Sequence, residues 1–282
     1  MFGQLPSIQT FWHGPRLSAW AAACLKSFVN QRHDVVVFSY DRDLEVPDGI
    51  RVEPADAILP KSELFIYNRG LGKGSVAVFS DWFRYRMLHE RGGYWVDTDV
   101  LCLQPFPAFD TVTVGREDAI RLNNAVIYAP AGDPMFLHAY ERARDMGPDA
   151  PWGLAGPVLL TSLATSGKFD VRVMDPSAFY PVHWSRVVTD LLLPSRLRQA
   201  EAQCAGSLGV HLYNELFRRA RVDVNRMPPR GSYLDRQFQQ ILGPDEVSPR
   251  LNPLDVRRRN ALAVLNRKAH GAMRRFRALV PG

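Results

Sequence analysis

Two short apolar runs bracket a helical repeat at the start of the chain, and that order restricts the fold more than any other feature. Ile8 to Trp12 ends at His13-Gly14-Pro15. Residues 17 to 30 then set Leu17, Trp20, Ala21, Cys24, Leu25 and Phe28 at helical spacing, and Val35-Val36-Val37-Phe38 follows as a short β-branched run. Strand, helix and buried strand in succession make a βαβ unit, the seed of a parallel sheet covered by helices. The expectation is an α/β, Rossmann-like nucleotide-binding fold with a mostly parallel sheet.

Composition narrows the class. The chain has 282 residues with 46% hydrophobic and 23% charged content, which excludes a disordered or collagenous polypeptide. No apolar stretch approaches the roughly 18 residues of a membrane span, and the opening residues lack a basic segment followed by an apolar one. A cytoplasmic protein is expected. Cys24, Cys102 and Cys204 are odd in number and form no Cys-x-x-Cys pair, so they are expected to be reduced core residues.

The net charge of +6 is not spread evenly. From Val256 to Gly282 there are 8 Lys/Arg and no acid, leaving 27 Lys/Arg against 29 Asp/Glu in the first 255 residues. Leu262, Leu265, Ala269, Met273, Phe276 and Val280 recur at steps of three or four, so the tail reads as a basic amphipathic helix. A membrane surface, bulk solvent and nucleic acid are its three candidate surroundings, with nucleic acid disfavoured because the rest of the chain is slightly acidic. The expected organisation is one catalytic domain over 1–250 and a tail over 251–282.

Between these ends, residues 41 to 61 read as connecting structure. Asn68 to Gly74 reads as a glycine loop without Walker spacing: an ordinary loop, a phosphate cradle or a lid. Ser80 is read as the cap of a helix running to about Arg91, closed by Gly92-Gly93, with Tyr94-Trp95-Val96 as the next strand. Further strands are expected at Val112 to Val114, Asn124 to Tyr128 and Gly209 to Leu212. Helices are expected from Pro134 to about Asp145 and near Asp190 to Ala205.

Asp97 and Asp99 follow the Tyr94 strand two residues apart. In an extended chain both carboxylates project from one face, where they repel unless a cation lies between them. Oxygen ligands favour Mg²⁺ or Mn²⁺, and the carboxyl end of a parallel strand is where such folds bind ligands. The alternative is a pair of turn residues. Asp81 and Arg84, three apart on the preceding helix, are either a surface ion pair or a pair for a ribose hydroxyl and a phosphate oxygen.

The stretch from Ser80 to Val100 resembles the signature of glycosyltransferases with a DXD sugar-binding region. Ser80, Asp81, Arg84, Leu88, Gly92, Gly93, Trp95, Asp97 and Asp99 stand at matching positions. Relatives of that kind include yeast alpha-mannosyltransferases, alpha-galactosyltransferases, bacterial capsule enzymes and the large clostridial glucosylating toxins. The resemblance implies a GT-A fold and a nucleotide-sugar site drawing on Ser80, Asp81, Arg84 and Trp95. It sets Trp12 where an aromatic stacks on the donor base, with a core tryptophan as the plain alternative. Asn123 and Asn124 become candidates for donor-sugar hydroxyls and Gly156 for a close backbone approach, although both segments are also ordinary turn punctuation. His211, in Val-His-Leu-Tyr-Asn, is implied as a third metal ligand beside Asp97 and Asp99.

What the resemblance implies is a metal-dependent retaining transferase, with Asp97, Asp99 and Arg84 at its centre. It would take a UDP- or GDP-linked sugar to a glycan or lipid-linked glycan in bacterial surface glycan synthesis, and the basic tail over 256–282 suits a peripheral position at the inner face of the membrane. Retention by double displacement needs a carboxylate nucleophile, for which Glu117 and Asp118 are conceivable; a front-face route needs none. A haloacid-dehalogenase-like phosphohydrolase is the rival enzyme, since Asp97-Thr98-Asp99-Val100-Leu101 approximates its nucleophile strand, but that fold opens with the motif and needs a later acidic pair. A nucleic-acid binder acting through the tail is the third reading.

Overall fold

A computed structural model describes residues 5–70, 72–243 and 249–279, with side chains as far as residue 266. Leu71 of the glycine loop and Val280 of the tail stripe lie outside the described residues, and Ala269, Met273 and Phe276 lie beyond the described side chains. The chain divides into two compact units, residues 1–183 with 204–212, and residues 184–203 with 213–282.

The first unit opens as its sequence dictates, with β1 (Ile8–Phe11), α1 (Ala19–Asn30) and β2 (Val35–Ser39). Ser18 caps α1 by accepting from the Ala21 N–H. A third parallel strand, β3 (Ile50–Pro54), lies inside the segment expected to be connecting structure; its mixed burial hides it from a hydrophobic pattern. Then come α2 (Ala77–Arg91), β4 (Gly93–Val96), β5 (Val100–Cys102), β6 (Val112–Arg116), β7 (Leu122–Ala129) and α3 (Pro134–Met146). A wide turn at Leu154–Val158 leads into α4 (Leu159–Ala164), followed by β8 (Val171–Met174), α5 (Pro176–Phe179) and β9 (Gly209–His211).

Seven strands form one sheet in the order β3-β2-β1-β4-β7-β6-β8, and β5 pairs with β9 apart from it. Four of the six neighbouring pairs are parallel; β7 runs antiparallel to both β4 and β6. The α/β class and the mostly parallel sheet flanked by helices are as expected. Because β1 leads to β2 on one side while β4 joins it on the other, the strand order reverses between β1 and β4, and the carboxyl ends at such a reversal are where sheets of this kind bind ligands.

Helix α2 packs against both of these strands. Phe79 and Phe83 are fully buried and meet Phe11 of β1 at ring-centroid distances of 5.4 and 4.7 Å. Burying each such ring contributes about 2–3 kcal/mol, which fixes the helix to the sheet. It starts a turn before Ser80, because Val78 and Phe79 already belong to the core. Its N-cap is Val76, with no side-chain cap, and Ser80, expected as the cap, lies inside the first turn. At the other end Gly92 and Gly93, with φ of 63° and 78°, reverse the chain into β4. A Cβ on Gly92 would lie 2.4 Å from the Ala131 backbone nitrogen, so only glycine fits.

In the second unit the single helix expected near Asp190 to Ala205 is broken. Residues Val187–Leu192 form α6, Pro194–Arg196 one 3₁₀ turn and Leu197–Cys204 α7, since Pro194 has no N–H for a continuous ladder. There follow α8 (Asn214–Arg219), α9 (Tyr233–Leu242) and α10 (Pro253–Leu279), the helix expected of the tail. Asp235 of α9 is buried and paired with Arg250. Cys24, Cys102 and Cys204 are all buried and outside any disulfide.

Candidate functional site

The site lies in the first unit, where β4 ends. Asp97 and Asp99 do not sit on one extended strand. The Val100 N–H donates to the Asp97 carbonyl at 3.1 Å, closing a turn through Thr98 and Asp99 before β5 begins. The carboxylates converge through this turn rather than through strand alternation. Pairing of β5 with β9 then sets His211 opposite Val100, and the Leu212 N–H donates to the Asp99 carbonyl at 2.9 Å. One ligand atom each from Asp97, Asp99 and His211 lies within 4.8 Å of the others, with His211 Nε2 3.3 Å from Asp99 Oδ1.

Asp97 is held from behind. Its Oδ1 accepts from the Trp95 indole N–H at 2.8 Å and lies 3.0 Å from Arg84 Nη1. The guanidinium packs over the Trp95 ring at 4.7 Å and donates to the Asn124 carbonyl at 2.5 Å. Its Nε lies 3.3 Å from Asp81 Oδ1 and donates to the Ser80 carbonyl at 3.3 Å; its other terminal nitrogen lies 3.4 Å from the Ser80 hydroxyl. With its side chain 6% exposed, Arg84 is occupied by the protein, and Asp81 with Arg84 is a buried pair, not a surface one. Trp95 is also buried, and both side chains contact Asp97.

Asp81 completes the inner layer. Asn124 Nδ2 donates to it at 2.7 Å. Burial, with Asp97 nearby, pushes the Asp81 carboxyl up to about 6 against the pull of Arg84 and the Asn124 amide. His211 meets the opposite balance: burial lowers its affinity for a proton, but Asp99, then Asp97 and Glu117, outweigh it and hold the imidazole above its usual value. Asn123 donates from Nδ2 to Glu117 Oε2 at 2.6 Å and accepts from the Ala125 N–H at 2.8 Å. Asp118 belongs to a turn, accepting from the Ile120 and Arg121 N–H groups at 2.9 Å each; these, with the Arg121 guanidinium, hold it near 2.

Gly156, in the wide turn before α4, touches this layer. A Cβ there would lie 2.7 Å from Asn124 Nδ2 and 2.9 and 3.0 Å from the Asp81 carboxylate oxygens. The close approach expected at Gly156 is therefore made to Asp81 and Asn124. Gly156→Ala is expected to lower the melting temperature, at a cost of about 1–3 kcal/mol, and to lower turnover with it. Thermal denaturation beside steady-state rates checks this; an unchanged melting temperature would show that the layer yields freely.

Trp12 stands at the carboxyl end of β1, its N–H donating to the Phe38 carbonyl at 2.9 Å. It is half-buried, and its indole nitrogen is buried without a hydrogen-bond partner among the described residues. The glycine loop folds on itself, with the Gly74 N–H donating to the Tyr67 carbonyl at 2.7 Å, and Trp152 lies so close over Gly72 that a Cβ there would be 1.8 Å from its ring. Sequence reasoning missed Tyr180, whose ring meets His211 edge-on at 5.8 Å and whose hydroxyl accepts from the Val126 N–H at 3.2 Å. A lone tyrosine before a proline carries no signal of such a role.

Asp97 and Asp99 thus gather at the His211 imidazole, with Asp81 and Arg84 paired behind them and Glu117 held by Asn123 and 3.6 Å from Arg121 Nη2. Two carboxylates with an imidazole are donors that hold a divalent cation.

Two family models match this chain. Residues 53–122 match the glycosyltransferase sugar-binding region containing the DXD motif, the stretch that holds Arg84, Asp97 and Asp99. Residues 149–236 match the alpha 1,4-glycosyltransferase conserved region, the stretch that holds Gly156 and His211. No curated protein matches the sequence. Among solved structures the PaToxG glycosyltransferase is similar, at 14% identity and a TM-score of 0.45, over 79% of this chain and 87% of that one. The phosphohydrolase reading gives way to the two matched regions. Each of them supplies ligand-type side chains to a single cluster, and the chain is a glycosyltransferase with a DXD sugar-binding region and an alpha 1,4-glycosyltransferase region.

Proposed function

We propose that this enzyme is a metal-dependent, retaining hexosyltransferase that moves a sugar from a UDP- or GDP-linked donor to a hydroxyl of a glycan or lipid-linked glycan in bacterial surface glycan synthesis. The observation that carries this reading is the convergence of Asp97, Asp99 and His211 within 4.8 Å beside the reversal of strand order between β1 and β4. Asp99 and His211, brought together by the β5–β9 pair, would hold the cation with Asp97. Asp97 offers Oδ2, because Oδ1 already accepts from Trp95 and Arg84.

Bound there, Mn²⁺ or Mg²⁺ supplies positive charge where a departing diphosphate develops its negative charge. The protein's part is to keep that site aimed and dry. Arg84 orients Asp97 rather than gripping phosphate, and Asp81 and Asn124 hold Arg84 in turn. Trp12, half-buried at the carboxyl end of the neighbouring strand, is the platform for the donor base. Of the two carboxylates considered as nucleophiles, Asp118 is tied into its turn, which favours Glu117, held by Asn123.

A melting screen of nucleotide sugars with and without Mn²⁺ tests the reading. One donor is expected to raise the melting temperature by roughly 5 °C at about a hundredfold excess over its Kd, and only with the metal present. Absence of any metal-dependent shift, together with release of phosphate from a phosphomonoester, would replace it with the phosphohydrolase.

A further inference from the structure

Helix α10 carries two faces of different character. At about 100° per residue, Val256, Asn260, Ala263 and Val264 share one side. These are the buried or half-buried positions of the described part of the helix after Pro253, with Val256 2% exposed, and α10 packs against α6 of the same unit. Leu254, Arg258, Ala261, Leu262 and Leu265 share the other side. Here Leu254, Leu262 and Leu265 are 73, 53 and 62% exposed. A surface helix ordinarily turns polar side chains outward opposite its packed face. This one turns leucines.

Charge decides what those leucines meet. Residues 253 to 282 hold 8 Lys/Arg and one acid, Asp255, and in the sequence the outward spacing continues through Ala269, Ala272, Met273 and Phe276. A second copy of the helix would bring the same positive charges face to face. A nucleic acid would satisfy the arginines but press the leucines against phosphate. An anionic lipid surface accommodates both groups, with headgroups around the guanidiniums and the acyl boundary around the leucines. Among the described residues no helix is long and apolar enough to cross a membrane, so this one lies along the surface. We propose that the outward face of α10, built on Leu254, Arg258, Leu262 and Leu265, docks on an anionic lipid bilayer.

The test is co-sedimentation of the full chain with phosphatidylcholine vesicles and with vesicles that also contain phosphatidylglycerol. Binding is expected only to the anionic vesicles, with release in high salt. The double substitution Leu262→Ser with Leu265→Ser is expected to weaken that binding about tenfold or more. Its melting temperature should match the parent, since both leucines already face water. Equal soluble fractions with the two vesicle types would overturn the proposal, as would binding indifferent to the leucine substitutions. Two further results would also overturn it: a lipid-free dimer that those substitutions convert to monomer would assign the face to a second copy, and retention of duplex DNA without vesicle binding would assign it to nucleic acid.

Discussion

Asp99→Asn is expected to lower turnover by about a thousandfold and to erase the rise in melting temperature that Mn²⁺ gives the parent. The amide keeps the shape of the side chain but loses the charge that balances a divalent ion. Stabilisation of a departing diphosphate by that ion is worth several kcal/mol, and each 1.36 kcal/mol is a factor of about ten in rate. Stability separates loss of function from loss of fold. Neutralising Asp99 relieves its repulsion with Asp97 but takes away the carboxylate 3.3 Å from the buried His211 imidazole, and the two changes oppose each other. The metal-free variant should therefore melt close to the metal-free parent. A variant that binds Mn²⁺ and turns over like the parent would remove the metal site from the mechanism.

How much of this was legible in the sequence depends on how far along the chain each cause acts. The βαβ opening, α2 and β4 were readable because their periodicity and the Gly92-Gly93 break are local. Asp97 and Asp99 were found, but the expected geometry was wrong, since nothing in Asp-Thr-Asp distinguishes a strand end from the turn closed by the Val100 N–H. His211 reaches Asp99 only because two three-residue strands, β5 and β9, pair across more than a hundred residues, and no local pattern announces such pairing. The resemblance supplied what periodicity could not.

Burial was the other hidden quantity. Asp81 and Arg84 at a spacing of three look the same whether exposed or enclosed, and enclosure changes their meaning from a surface ion pair to the support of Asp97. The same holds for Trp95, whose hydrogen bond to Asp97 joins residues two apart across the end of β4 and depends on how the turn swings the carboxylate back. The division into units was also beyond local reading. Residues 204–212 return to the first unit through β9, while their neighbours on either side belong to the second.

Arg84→Met is the second large effect, and it should appear first as lost stability. Methionine fills much of the space and keeps contact with Trp95, but leaves Asp81 and Asp97 without their guanidinium. Breaking a buried ion pair by removing one partner costs about 3–5 kcal/mol. The pH dependence identifies the cause. Asp81 titrates near 6 in the folded protein against an ordinary 3.8, so its carboxyl favours folding at low pH, where it is neutral in both states, and that contribution is lost as pH rises through 6. Without Arg84 the folded carboxyl should titrate higher still. Urea denaturation of Arg84→Met is therefore expected to show the largest deficit near pH 8 and a much smaller one near pH 4. Adding Asp81→Asn should recover part of the deficit at pH 8 and flatten its pH dependence, while the metal-induced melting shift stays weakened because Asp97 remains unsupported. A deficit below about 1 kcal/mol at pH 8, or one that does not change with pH, would mean that the pair is solvated and that Asp97 needs no such support.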